Sequence, residues 1–236
     1  FAVFQPAKTQ PAVAALIEDG KRIGYGARAL TEGGYQSVPK LVFPGGALIG
    51  CAAGFMNLPR IKGSHNAMKT GMLAAECAAA ALKAGRAGDV LSEYDDAWRS
   101  SWVGKELWRV RNAKPLWSKL GTWLALPLIG LDLWTNQLFG FSIFGTMSHG
   151  APDYACLRKA SESLRIQYPR PDGKLIFDRP SSVFLSGTNH EEDQPPHLKL
   201  THPAIPISVN LPKYGEPAQR YCPAGVYEVV EEAGIP

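Results

Sequence analysis

The run Gly45-Gly-Ala-Leu-Ile-Gly-Cys-Ala-Ala-Gly-Phe-Met-Asn57, followed after a short connection by Ile61-Lys-Gly-Ser-His-Asn-Ala-Met-Lys-Thr-Gly71, decides how this chain is read. An apolar strand-like stretch enters a glycine-rich turn, and a further glycine opens an alanine-rich helix. Glycine lets a backbone come close to a planar ligand, because no Cβ stands in the way. The first turn of the helix offers unpaired N–H groups and a partial positive charge. A strand–loop–helix packing unit without a ligand has the same outline, so the pattern alone leaves both readings open.

Working outward, residues 7–19 read as a short helix stopped by Gly20. Strands are expected at Arg22–Arg28, Lys40–Phe43 and Gly46–Gly50, separated by Gly33-Gly34, Pro39 and Pro44-Gly45-Gly46. The clearest helix covers 63–84: alanines and Leu73 fill it at little side-chain entropy cost. Ser64 suits its cap and Gly85 its stop. Val90, Leu91, Tyr94, Ala97 and Trp98 follow helical spacing and predict a second helix over 90–111.

The composition then changes. Between Leu120 and Ser148 the only charge is Asp132, among Trp123, Leu128, Trp134, Phe139 and other apolar residues. A spanning helix needs about 20 uninterrupted apolar residues. Pro127 and Gly121, Gly130, Gly140 and Gly145 interrupt this one, and the halves 120–131 and 133–148 are short. The expectation is an element that lies in a bilayer interface, with Arg109, Arg111, Lys114 and Lys119 near head groups. A buried apolar hairpin is the alternative. Residues 151–236, rich in proline and short strand-like runs, read as a separate module with its boundary near 150.

Composition narrows the function classes. The 236 residues are 45% hydrophobic and 19% charged, enough apolar material for a core. A net charge of +4 permits contact with an anionic surface. No segment pairs aromatics with a dense Lys/Arg run, so nucleic acid is not an expected partner. No G-x-G-x-x-G, Walker A or G-x-S-x-G pattern occurs. The four cysteines, Cys51, Cys77, Cys156 and Cys222, form no C-x-x-C pair and no disulfide framework is implied. Cys77 and Cys156 read as core filler, and a lone Cys such as Cys222 is ordinarily a buried thiol. His65 lies beside the helix opening. His190 with Glu191, Glu192 and Asp193 reads as a solvated loop before a metal site, and His149, His197 and His202 share no ligating spacing. Both ends of the chain read as cuts through a longer polypeptide.

Four runs resemble electron transfer flavoprotein–ubiquinone oxidoreductases in the same order. They are Arg22-Ile-Gly-Tyr-Gly-Ala-Arg-Ala-Leu-Thr-Glu-Gly-Gly34, Gly54-Phe-Met-Asn-Leu-Pro-Arg-Ile-Lys-Gly-Ser-His-Asn-Ala-Met-Lys-Thr-Gly71, Leu185-Ser-Gly-Thr-Asn-His-Glu-Glu-Asp-Gln-Pro-Pro-His197 and Gln219-Arg-Tyr-Cys-Pro-Ala-Gly-Val-Tyr-Glu228. The stretch 45–71 is also similar to the last flavin-contacting motif of the glutathione-reductase-type FAD fold. The resemblance covers essentially the whole chain, most weakly over 85–170.

It implies an α+β architecture: the end of a glutathione-reductase-type FAD domain, quinone-domain segments and a small iron–sulfur module. On that basis 1–40 would be a quinone-domain segment and 41–84 the last strand and helix of the FAD domain. Residues 85–150 would be a helical membrane- and quinone-facing segment, and 151–236 the iron–sulfur module. The resemblance places Gly50, Gly54, Gly63, Ser64 and Asn66 at FAD, with Asn66 or Ser64 bonding near N1/O2. It puts Cys51 where the wider fold has a ribityl-binding Asp. Cys222 matches the first of four [4Fe–4S] ligands, whose partners follow further on as C-x-x-C-x-x-C. Trp123, Leu128, Trp134 and Phe139 would face membrane and quinone. The implied activity is electron transfer from reduced electron transfer flavoprotein to ubiquinone. The setting is monotopic on the bacterial cytoplasmic or mitochondrial inner membrane, and the chain alone would be inactive. A FixC-type or geranylgeranyl-reductase-like flavin enzyme is the alternative, and a non-catalytic membrane-surface module built on 90–150 is a third reading.

Overall fold

The computed structural model describes residues 3–164, 166–196, 198–222 and 224–232. His197 and Pro223, quoted above, lie outside them. The α-helices in chain order are α1 (Phe4–Ala7), α2 (Pro11–Ile17), α3 (Ser64–Lys83), α4 (Glu93–Ser100), α5 (Trp102–Arg109), α6 (Ala113–Phe139), α7 (Arg179–Phe184), α8 (Leu211–Tyr214) and α9 (Ala218–Tyr221). One antiparallel hairpin, β1 (Val42–Phe43) and β2 (Gly46–Ala47), is the only sheet among the described residues, with Val42 opposite Ala47. The chain is thus mixed, mainly helical, with little sheet. It divides into two compact units, residues 29–152 and residues 1–28 with 153–236.

Within 29–152, the core gathers Leu41, Ala53, Phe55, Leu73, Tyr94, Trp98, Val103 and Leu107. Trp98 is fully buried, and its ring meets Phe55 edge-on with centroids 5.0 Å apart. Burying each such side chain contributes about 1.5–3 kcal/mol, so this cluster anchors α3, α4 and α5 to the turn after β2. The single helix expected over 90–111 is two helices. Ser101 takes an extended backbone between them, and its Oγ accepts from the Val103 N–H at 3.2 Å, capping α5. Gly104 is required just beyond: a Cβ there would lie 2.3 Å from the Arg99 carbonyl oxygen.

A second cluster joins Ala113, Leu116, Ala125 and Ile129 of α6 to Leu58, Leu128, Leu133, Phe144 and Met147. The two apolar halves expected around residue 132 are not separate. α6 runs through Asp132 to Phe139, and its break lies at Gly121, with φ 68° and ψ 176°. Asp132 does not interrupt the helix because its buried carboxylate has partners outside it. Ser142 Oγ donates to Oδ1, and Asn112 Nδ2 donates to Oδ2 at 3.4 Å. Gly140, in the left-handed conformation, ends α6.

In the other unit, the strand expected at 22–28 does not form. A strand needs a ladder partner, and none pairs with this stretch among the described residues. Arg22 instead stacks over Phe177 at 3.9 Å and donates to Ser182 Oγ at 3.0 Å and Ser181 Oγ at 3.1 Å. Asp178 caps α7 by accepting from the Ser181 N–H at 2.8 Å. Gln5 Oε1 accepts from the Phe177 N–H at 2.9 Å, fixing the N-terminal helices to the same loop.

Candidate functional site

The turn after β2 is tied to α3 by a short polar chain. Gly50 has φ +59°, and its N–H donates to Thr70 Oγ1 at 3.0 Å. Thr70 Oγ1 donates to the Asn66 carbonyl at 2.8 Å. A Cβ at Gly50 would sit 3.0 Å from Ala67 Cβ, so the glycine is what lets turn and helix touch. Gly54, at φ +81°, closes the turn while the Phe55 N–H donates to the Gly50 carbonyl at 3.2 Å. Gly63 is the N-cap of α3, and a Cβ there would meet Cys51 Sγ at 2.7 Å. Ser64, expected as the cap, is instead the first helical residue and is exposed. No side chain caps this end, so its first N–H groups remain available.

Asn66 is fully buried. Its Nδ2 donates to the Phe55 carbonyl at 2.8 Å, which fixes the orientation of the amide. Its Oδ1 is buried with no partner among the described residues. Buried polar atoms are rarely left so. The spare atom is an acceptor, so a ligand reaching it must present an N–H or O–H. A flavin ring carries such an N–H, so this acceptor is compatible with one.

Beside α3, Glu106 of α5 collects three partners. Oε1 accepts from Asn57 Nδ2 at 2.6 Å and contacts His65 Nε2 at 3.1 Å, and Arg60 lies 3.8 Å from Oε2. Burial raises the Glu106 pKa, but the Asn57 and His65 hydrogen bonds and the nearby positive charge outweigh it, and the net shift is downward. His65 also stacks on Trp102 with centroids 5.6 Å apart. Glu106 escaped sequence reading because its hydrogen-bond partners lie 49 and 41 residues away, with no local spacing to mark them.

Cys222 follows α9 in the other unit. Hydrogen bonding from the Val226 N–H holds its thiol below the usual cysteine range against the opposing effect of burial. The Ala224 and Gly225 N–H groups and the charge of Arg179 act in the same direction. Such a nest of N–H groups favours the thiolate, the form that binds metal. Among the described residues no three His, Cys, Asp or Glu side chains come together as a metal set. Cys222 therefore fits one position of an iron–sulfur site and does not make one alone. Glu191, Glu192 and Asp193 form no such group with His190, which is exposed. His149 Nε2 pairs with Ser37 Oγ at 2.9 Å.

The four residues expected at the membrane divide. Trp123 is 90% exposed, Trp134 66% and Phe139 68%. Leu128 is half-buried and packs on the second cluster. Arg111, expected near head groups, is buried. It stacks on Trp108 at 3.9 Å and donates to Trp108 O, Gly145 O and Thr146 Oγ1 at 2.8–2.9 Å. No helix among the described residues is long and apolar enough to cross a membrane.

Residues 173–235 match the family model described as electron transfer flavoprotein–ubiquinone oxidoreductase, 4Fe-4S. Over 98% of its length the chain is 57% identical to the electron transfer flavoprotein–ubiquinone oxidoreductase of Pseudomonas aeruginosa, of which it covers 41%. It is 49% identical to the human mitochondrial protein over 98% of its length, covering 38% of that relative. It is 48% identical to that of Oryza sativa subsp. japonica over 97%, covering 39%. The chain thus spans about two fifths of the length of these curated relatives. The resemblance to electron transfer flavoprotein–ubiquinone oxidoreductases is shown, and it runs through nearly the whole chain.

Proposed function

We propose that the chain is the C-terminal portion of an enzyme that passes electrons from reduced electron transfer flavoprotein to ubiquinone. The observation that carries this reading is the family match over 173–235, a stretch that includes the Cys222 thiol held by N–H groups. FAD and a [4Fe–4S] cluster, when bound, supply the one- and two-electron chemistry.

This chain's residues set the surroundings of those groups. Gly50, Gly54 and Gly63 let the turn and the start of α3 pack closely together beside the ring, and the uncapped N-terminus favours negative charge there. Asn66 contributes its spare Oδ1 as an acceptor, and so suits a ring N–H in place of the N1/O2 edge. Exposed Ser64 remains free to bond that edge. Cys222 contributes one thiolate ligand. Residues 1–40 and 85–150 belong to the quinone-facing part, 41–84 to the end of the FAD domain and 151–236 to the iron–sulfur module. Trp123, Trp134 and Phe139 lie in the interface of the inner membrane, where exposed aromatic surface gains by burial. Leu128 supports that face from below.

Visible and low-temperature EPR spectra of the full-length protein, before and after dithionite, test the assignment. Flavin absorption with a reduced [4Fe–4S] signal is expected, and Cys222→Ser should lose the cluster signal while retaining flavin. A cluster that survives Cys222→Ser removes the ligand assignment. Flavin with no cluster in the unaltered protein points instead to a FixC-type or geranylgeranyl-reductase-like enzyme.

A further inference from the structure

A cavity of about 650 Å³ opens between α5 and α6. Its lining sets apolar Trp102, Leu133 and Trp134 beside the cations Arg60, Lys105 and Arg109. We propose that this cavity binds the headgroup phosphate of an anionic phospholipid, whose acyl chains lie along the exposed apolar surface of α6. The proposal rests on the membrane-docking reading above and adds to it a defined lipid site.

The charge balance points to an anion. Three cations line the cavity against one carboxylate, that of Glu106. That carboxylate is already engaged by Asn57, His65 and Arg60, which leaves Lys105 and Arg109 without a counter-charge. Neither forms an ion pair among the described residues, although both are exposed. They stand four residues apart in α5, on one face one turn apart, where like charges repel. An anion placed between them turns that repulsion into attraction. Helix polarity accounts in part for Arg109, in the last turn of α5. It does not account for Lys105.

The apolar lining decides which anion. Free phosphate would gain nothing from the Trp102 and Trp134 rings, and a neutral quinone would gain little from three cations. An anionic phospholipid uses both. Trp134 belongs at once to the cavity lining and to the exposed surface of α6, where Trp123, Phe139 and Leu138 are also exposed. The headgroup site is therefore continuous with the surface proposed to enter the bilayer.

The test is vesicle co-sedimentation of the full-length protein at fixed salt, with phosphatidylcholine vesicles with and without phosphatidylglycerol. Each cation near an anionic surface strengthens association roughly fivefold. The Lys105→Gln/Arg109→Gln variant should therefore bind phosphatidylglycerol vesicles about thirtyfold more weakly and phosphatidylcholine vesicles unchanged. Lys40→Gln/Lys83→Gln, which removes the same charge elsewhere in the unit, should lose far less. Equal losses in the two pairs mean diffuse attraction and overturn the site. So does normal phosphatidylglycerol binding by Lys105→Gln/Arg109→Gln. If Trp123→Ser abolishes binding while that charge variant binds normally, docking stands and the lipid site falls. If the unaltered protein ignores both vesicle types, the docking reading falls and takes the site with it.

Discussion

Two polar residues near the start of α3 behave in opposite ways. Glu106 is saturated, with Asn57, His65 and Arg60 around one carboxylate. Asn66 is half satisfied: its amide nitrogen holds the Phe55 carbonyl, and its oxygen has no partner among the described residues. A buried acceptor left alone costs about 1–3 kcal/mol, a cost that a bound donor would remove. Asn66→Ala deletes both the bond to Phe55 and the spare acceptor. Its apo protein should lose about 1–3 kcal/mol, because removal of the orphan oxygen is matched by leaving the buried Phe55 carbonyl without its donor. The flavin-loaded protein should lose more, and its flavin reduction potential should shift. Thermal unfolding with and without flavin, together with a redox titration, makes the measurement. Equal losses in both forms and an unmoved potential would leave Asn66 a purely structural tie. The role of Asn66 was legible in the sequence only as a position after a helix-opening glycine. Which of its atoms is free depends on the Phe55 carbonyl, 11 residues away.

At the scale of elements, α3 was readable because alanine-rich sequence favours helix almost regardless of surroundings. The α4–α5 break was not, because Ser101 in a helical pattern looks like a solvated face until its hydroxyl is seen capping α5. For α6, Gly121 and Gly140 stand among the interruptions expected from sequence, and the helix breaks at the first and ends at the second, whereas Pro127 and Gly130 lie inside it. Asp132, the one charge of the run, is tolerated because Ser142 and Asn112 bond its carboxylate from outside the helix. The break at Gly121 lies in a region of backbone space open essentially only to glycine. Gly130, within the same helix, has no heavy atom within 4 Å of a built Cβ and no positive φ. Gly121→Ala should therefore destabilise the protein by about 1–3 kcal/mol. Gly130→Ala should be neutral or stabilise by up to about 1 kcal/mol. Thermal denaturation of both variants settles the comparison. If both alanines act alike, α6 has no glycine-dependent break at residue 121.

For the molecule as a whole, the chemistry-bearing residues are divided between the two compact units. The turn after β2, the Glu106 cluster and α6 belong to 29–152, and Cys222 belongs to the other unit. The apolar run 120–148 was read from composition as interfacial, with a buried hairpin as the alternative. The structure places parts of the run in each environment: Ala125 and Ile129 are buried, whereas Trp123, Trp134 and Phe139 are exposed. Composition could not separate them, because which residues face the core depends on where the helix bends. An isolated exposed Leu means little, but several large apolar side chains exposed along one helix mark a partner surface. No helix among the described residues is long and apolar enough to cross a membrane, and the docking proposed above gives this surface the bilayer interface as its partner. Replacing Trp123, Trp134 and Phe139 together by Ser should shift the full-length protein from the membrane to the soluble fraction. Flavin content should be retained. Leu128→Ser, aimed at the half-buried support of that helix, should instead lower thermal stability by about 1–3 kcal/mol. Membrane association of the triple variant at the unaltered level would show that this surface is covered by protein and not by lipid.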